Sequence, residues 1–136
     1  MNRNRSNNNK DPNNNNNSAK NGIILAVAET NIAVDNIMQK LLELNINVIR
    51  SADYGKIQDN TLWQYTFEYH LSEAQKKGKV SKNKLFRELI QKVDVVCATS
   101  VKSGEKFLRK FPFTQVIVDE VSQTIGFYFT SIHTYL

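Results

Sequence analysis

Val116-Ile-Val-Asp-Glu-Val-Ser-Gln123 sets three β-branched residues directly ahead of two adjacent carboxylates. A continuous apolar run this short predicts a strand buried on both faces, and such strands belong to parallel sheets. Open parallel sheets gather their chemistry at the carboxyl ends of their strands, where Asp119 and Glu120 stand. Carboxylates at that place suit a divalent cation, and a second acid beside the first can polarise a water. An Asp-Glu pair that merely caps the next turn would leave the same trace, so the rest of the chain has to decide.

Two more apolar runs match it. Gly22 opens Ile23-Ile-Leu-Ala-Val-Ala28, and Asp94-Val-Val-Cys-Ala-Thr99 follows much later. After the first run the chain turns through Glu29-Thr30-Asn31 into a helix, because Val34, Ile37, Met38, Leu41, Leu42 and Leu44 recur at helical spacing. Thr30 or Asn31 supplies the N-cap, Asp35 lies in the first turns, and Asn45 ends the helix. The short strand Asn47–Arg50 comes at once, so residues 23–50 read as a βαβ unit. At the exit of the later strand, Thr99-Ser-Val-Lys-Ser-Gly104 is dense in hydroxyls and small groups. A short helix over Glu105–Lys110, capped by Ser103, is expected before Pro112 stops it.

Between these units, residues 51–60 read as a loop. From Thr61 onward, Leu62, Tyr65 and Tyr69 fit a helix while Tyr65, Phe67, Tyr69 and Leu71 fit a strand. The helix-forming continuation Ser72-Glu-Ala-Gln-Lys-Lys favours helix, broken at Gly78. Ser81 can cap a second helix with the apolar face Leu85, Phe86, Leu89, Ile90 and Val93. Seven basic residues, Lys76, Lys77, Lys79, Lys82, Lys84, Arg87 and Lys92, share residues 76–92 with the single acid Glu88. This pair of helices is the most basic ordered part of the chain, and it fits either a phosphate backbone or a solvated helix face.

Composition sets the bounds. A chain of 136 residues, 40% hydrophobic, holds one modest domain with a core. Its one cysteine, Cys97, lies in an apolar run and reads as a small buried hydrophobe, which implies a reducing compartment. No apolar stretch approaches the ~20 residues that span a bilayer, and the N-terminus lacks the apolar core of a signal peptide, so a soluble, cytoplasmic or nuclear protein is expected. Eleven of the first twenty-one residues are asparagine, a composition too polar to offset its ordering entropy, and residues 1–21 are expected to be disordered. Of the net charge of +5, residues 1–20 carry +3 (four bases against Asp11), so residues 21–136 carry only +2 and overall charge says little about nucleic acid. His70 and His133 have no metal-ligand company in the sequence.

In a parallel sheet the loops Glu29-Thr30-Asn31, Thr99-Ser100 and Asp119-Glu120 crowd one edge. The first two offer hydroxyls, amides and helix N-termini suited to phosphate oxygens, and the third offers carboxylates suited to a metal. At this point the motifs form a pattern. Val116–Glu120 has the layout of a Walker B element of P-loop NTPases. Ala28-Glu-Thr-Asn-Ile-Ala-Val-Asp35 resembles motif Ia of superfamily 1 helicases of the nonsense-mediated-decay and senataxin class, usually Ala-Pro-Ser/Thr-Asn-x-Ala-Val-Asp. Asp94–Thr99 looks like their motif Ib region, and Asp119-Glu-Val-Ser-Gln123 is similar to their motif II, commonly Asp-Glu-Ala-x-Gln. The resemblance covers about residues 22–126, with residues 61–92 where this class inserts a helical subdomain.

The resemblance implies an α/β fold, a partial RecA-like P-loop NTPase parallel sheet with a helical insertion. It also implies ATP-driven translocation on single-stranded RNA or DNA in an intact parent with its remaining helicase domains. Asp119 would hold Mg²⁺ at the nucleotide, Glu120 would act on the hydrolytic water, and Gln123 would lie near the γ-phosphate or couple to other motifs. Thr30, Asn31, Asp35, Thr99 and Ser100 would contact the strand backbone, with little base specificity. The chain departs from the pattern at Glu29, which replaces proline, and at Val121, which replaces a small residue. No Gly-x-x-x-x-Gly-Lys-Ser/Thr occurs in these 136 residues, so neither the phosphate cradle nor the arginine-bearing second domain is expected within them. After Gly126 come ten uncharged, aromatic-rich residues with the pairing potential of an exposed strand. The expectation is a helicase segment without ATPase activity of its own. Its alternatives are a non-enzymatic single-strand-binding module that uses Lys76–Lys92, with Lys76, Lys77 and Lys79 foremost, and the Thr30-Asn31 loop, and an inactive remnant.

Overall fold

Four parallel strands, β1 (Ile23–Ala28), β2 (Val48–Ser51), β3 (Val95–Thr99) and β4 (Phe113–Val118), lie in the order β2-β3-β1-β4 and form the frame of the chain. The computed structural model describes residues 22–119 apart from residues 54 and 79. The expectations for residues 1–21, Lys79, Glu120, Gln123 and the aromatic-rich C-terminal residues lie outside that range.

Strand β1 (Ile23–Ala28) leads into helix α1 (Asn31–Glu43) and strand β2 (Val48–Ser51). Thr30 is the N-cap of α1, its Oγ1 accepting from the Ala33 N–H at 3.1 Å. Asn45 closes the helix at φ 57°, and the bonds Asn45 N–H to Leu42 O and Ile46 N–H to Leu41 O satisfy its last carbonyls. An asparagine tolerates this left-handed turn better than most side chains do. The strand after it spans 48–51, one residue later than the sequence suggested.

The helical reading of residues 61–92 holds, with a break. A 3₁₀ turn over Asn60–Tyr65 is followed by α2 (Phe67–Lys77) and α3 (Lys82–Ile90). Thr66 makes the junction, donating to Trp63 O at 2.7 Å and accepting from the Tyr69 N–H at 3.1 Å. Ser81 stands at the cap position of α3 without a side-chain capping bond. Strand β3 (Val95–Thr99) ends in helix α4 (Ser100–Ser103), and a 3₁₀ turn over Leu108–Lys110 precedes β4 (Phe113–Val118). The helix expected over 105–110 with Ser103 as its cap is therefore displaced. Thr99 caps instead, accepting from the Lys102 N–H, while the Ser103 hydroxyl donates to Ser100 O at 2.7 Å.

Strand alternation divides the core between the two faces of the sheet. Ile23, Leu25, Val27, Val96, Ala98 and Ile49 face α2 and α3, where Phe67, Phe86 and Ile90 meet Leu108, Phe111 and Phe113. Ala26, Ala28, Val48, Val95 and Cys97 face α1 through Val34 and Met38. Cys97 is fully buried, and burial pushes its thiol up to about 12, so it behaves as a small hydrophobe.

The opening stretch needs one correction. Strand β4 is not buried on both faces: among the described residues it pairs only with β1, and Ile117 is 55% exposed. Its apolar run reports the β propensity of an edge strand whose inward residues, Val116 and Val118, pack on the α2–α3 face.

Candidate functional site

Parallel pairing brings the strand ends to one edge, since Ala28 is level with Thr99, Val27 with Val118, and Ser51 with Ala98. Glu29–Asn31, Ala52–Asp53, Thr99–Ser100 and Asp119 thus share the carboxyl edge of the sheet. Between the first three lies a cleft of about 300 Å³, whose walls include Asn31, Asp53, Lys56, Thr99 and Lys102.

Asn31, Asp53, Thr99 and Lys102 are held by defined neighbours. The Thr99 hydroxyl caps α4, and the buried Ser100 hydroxyl donates across to Ala28 O at 3.4 Å. Lys102 reaches Asp53 Oδ1 at 2.7 Å and Glu105 Oε1 at 2.8 Å. Burial works against the Lys102 charge, but these two bonds outweigh it and hold the ammonium above its usual value. Asn31 accepts at Oδ1 from Arg50 Nη2 at 2.7 Å.

Asp35 does not reach the edge. It is 4% exposed and forms an ion pair with Arg50, whose side chain is closed off from water. A carboxylate so placed holds the frame of the cleft and is not open to a strand. Ser100 is likewise internal, and Thr30 is exposed with its hydroxyl committed to the α1 cap. The structure therefore brings Asn31 and Thr99 together in the cleft with Thr30 beside it, and sets Asp35 and Ser100 beneath.

Lys76 and Lys77 lie elsewhere, exposed in the last turn of α2, with Lys76 paired to Glu73 at 2.6 Å. Lys82 is turned onto the aromatic cluster, its Nζ 4.9 Å from the centroid of the Phe107 ring. The cations in the cleft are Lys56 and Lys102, which sequence reasoning passed over because neither belongs to a basic run. Arg50 was passed over as well, although a charge directly after Val48-Ile49 in a strand is itself a signal of a buried pair.

At the other side of β1, Asp119 stands exposed at the end of β4, its N–H donating to Val27 O at 2.8 Å. Mg²⁺ at a nucleotide takes one or two carboxylates and completes its shell with phosphates and waters. An exposed carboxylate on a strand end fits that need as a single ligand. Among the described residues no group of three metal-ligating side chains forms, and no helix is long and apolar enough to cross a membrane.

The sequence that builds this edge has relatives. A family described as AAA domain matches residues 56–127, more than half of the chain. The chain belongs to the AAA domain family. The AAA domain chain is similar to "Regulator of nonsense transcripts 1 homolog" of Arabidopsis thaliana, 28% identical over 128 residues that cover 75% of this chain and 10% of that protein. It is 27% identical over 129 residues to the homolog of Neurospora crassa, and 23% identical over 129 residues to "Regulator of nonsense transcripts 1" of Dictyostelium discoideum. Those two matches each cover 76% of this chain, and 12% and 10% of the relatives. The chain thus spans about a tenth of the length of the curated relatives it matches. The superfamily 1 helicase resemblance of its motifs and the AAA domain match agree, and the four-stranded parallel sheet is consistent with part of a RecA-like domain.

Proposed function

We propose that this chain supplies the strand-binding and metal-bearing edge of an ATP-dependent helicase motor that acts on single-stranded RNA or DNA. The observation that carries the reading is the shared carboxyl edge: hydroxyl, amide and ammonium groups stand at the ends of β1, β2 and β3, and the carboxylate Asp119 ends β4. The first turn of α1 aims N–H groups toward that edge, as suits phosphate oxygens. Lys56 adds positive charge, Lys102 adds an ammonium shared with Asp53 and Glu105, and Asn31 and Thr99 add neutral polar contacts, so the strand is held by its backbone and not by its bases.

Asp119 would hold Mg²⁺, which neutralises phosphate charge when a nucleotide is bound. Glu120 and Gln123 would act beside it, on the hydrolytic water and near the γ-phosphate. In the intact parent, ATP hydrolysis would drive translocation along the strand. Without a Gly-x-x-x-x-Gly-Lys-Ser/Thr cradle this chain alone turns over no ATP. The place of work is the cytoplasm or nucleus, where single-stranded RNA and DNA occur.

Fluorescence anisotropy with a labelled oligouridylate of roughly 12 nucleotides tests the reading. Binding is expected to weaken steeply between about 50 and 200 mM salt. It should weaken further in Lys56→Ala and Lys102→Gln, and change little in Lys76→Ala/Lys77→Ala. Loss of affinity confined to the Lys76/Lys77 variant would move the contact to the helices, and salt-insensitive or absent binding would overturn it.

A further inference from the structure

Arg50 is fully buried at the end of β2, yet it touches both walls of the cleft through its partners. One arm of the guanidinium pairs with Asp35, and Nη2 donates to Asn31 Oδ1 at 2.7 Å. The second oxygen of Asp35, Oδ2, accepts from the Gln58 N–H at 2.9 Å. At the other end of the same loop, Glu68 Oε2 accepts from the Ala52 N–H at 3.2 Å. The loop 52–58, which carries Asp53 and Lys56 into the cleft, is therefore pinned at both ends by carboxylates from two helices, with Arg50 holding one of them in place.

A buried ion pair is a weak source of stability, since an apolar pair of similar volume is often as stable or more so. Charge on these two residues has a use that packing alone lacks: a carboxylate can hold a loop N–H while the guanidinium holds Asn31. We propose that Arg50 is a positioning residue, setting Asn31 and the 52–58 loop at the spacing that a strand backbone requires. The inference rests on the strand-binding reading of the cleft. Arg50 touches no ligand itself.

The test separates support of the fold from positioning. In the full chain, Arg50→Met leaves the Asp35 carboxylate unpaired and should lower both the melting temperature and the oligouridylate affinity. The double variant Asp35→Leu/Arg50→Met removes both charges and should recover the melting temperature, because the apolar pair needs no partner. Its affinity should stay about tenfold below wild type, the size of one or two lost hydrogen bonds. Amides of residues 52–58 should exchange faster, with β1 and β3 still protected.

Wild-type affinity in a folded double variant overturns the proposal. If the double variant does not fold, Arg50→Lys decides, because lysine keeps a charge opposite Asp35 without also reaching Asn31. It should fold and bind several-fold more weakly, and undiminished binding again overturns the proposal. A wild-type chain that binds no oligouridylate overturns the cleft reading instead, and the exchange rates at 52–58 then decide alone whether Arg50 holds the loop.

Discussion

The side chain of Thr114 on β4 lies across Gly22, so close that a Cβ at position 22 would stand 2.2 Å from its Oγ1. Gly22 also has φ +95°, a backbone region that side chains disfavour. Both facts concern the entry to β1, the strand between β3 and the edge, and Thr114 is held there by a bond to Ile23 O at 3.3 Å. Gly22→Ala is expected to cost about 2 kcal/mol or more. Thr114→Gly in the same chain removes the clash and not the dihedral strain, so it should recover only part of the loss. Urea midpoints of the two variants check this, and full recovery would show that the backbone angle costs nothing.

Phe86 joins three segments that are distant in sequence. Its ring centroid lies 4.8 Å from that of Phe67 on α2, and 4.3 and 4.1 Å from those of Phe107 and Phe111 after α4. It is 1% exposed, so truncation opens a cavity that its ring neighbours fill only partly. Phe86→Ala should lose about 3–5 kcal/mol and Phe86→Leu markedly less. A thermal melt reads the difference, and equal losses would mean that ring contact matters more than volume.

What the sequence disclosed followed local rules. Runs such as Ile23–Ala28 and Val95–Thr99 declared buried strands, α1 declared itself by period and cap, and Cys97 by its apolar company. The edge position of β4 was hidden because β-branched residues favour both central and edge strands, and strand order is a non-local fact. The start of α4 was hidden because Thr99 and Ser103 both offer a hydroxyl at capping distance, and only the fold shows which one a free N–H reaches. The motif points Asp35 to a strand backbone, whereas its place on the inner side of α1 with Val34 and Met38 directs it to Arg50. The cleft lysines were hidden for a related reason, since Lys56 and Lys102 are isolated in sequence and meet only through folding.

Thr66 tests the junction that the sequence left ambiguous between helix and strand. It is fully buried and serves the 3₁₀ turn and α2 at once. Thr66→Val keeps the shape and removes both bonds, at an expected cost of about 1–2 kcal/mol. Thr66→Ser keeps both bonds and loses only a methyl, which predicts the smaller loss in chemical denaturation. Should serine cost as much as valine, packing and not capping fixes the break.

Glu68 gives the fold a pH dependence whose sign can be worked out. Burial raises its carboxyl above the usual 4.5, more than the Ala52 N–H and the charges of Lys102 and Lys82 lower it. Between the usual value and the raised one, the folded chain holds a proton that the unfolded chain releases. Stability from this group is therefore present below that window and falls as pH rises through it. Glu68→Gln keeps an oxygen for the Ala52 N–H and removes the titration. Relative to that variant, the wild type should lose stability as pH climbs above the usual 4.5, and the difference should level off once the folded group has ionised. Urea midpoints of both proteins across that range measure it, with every other titrating group common to the pair. A wild type that instead gains on the glutamine variant as pH rises would show that the Glu68 charge is favoured in the fold, through Arg50 or Lys102, and that its bond to the loop is stronger than its burial is costly.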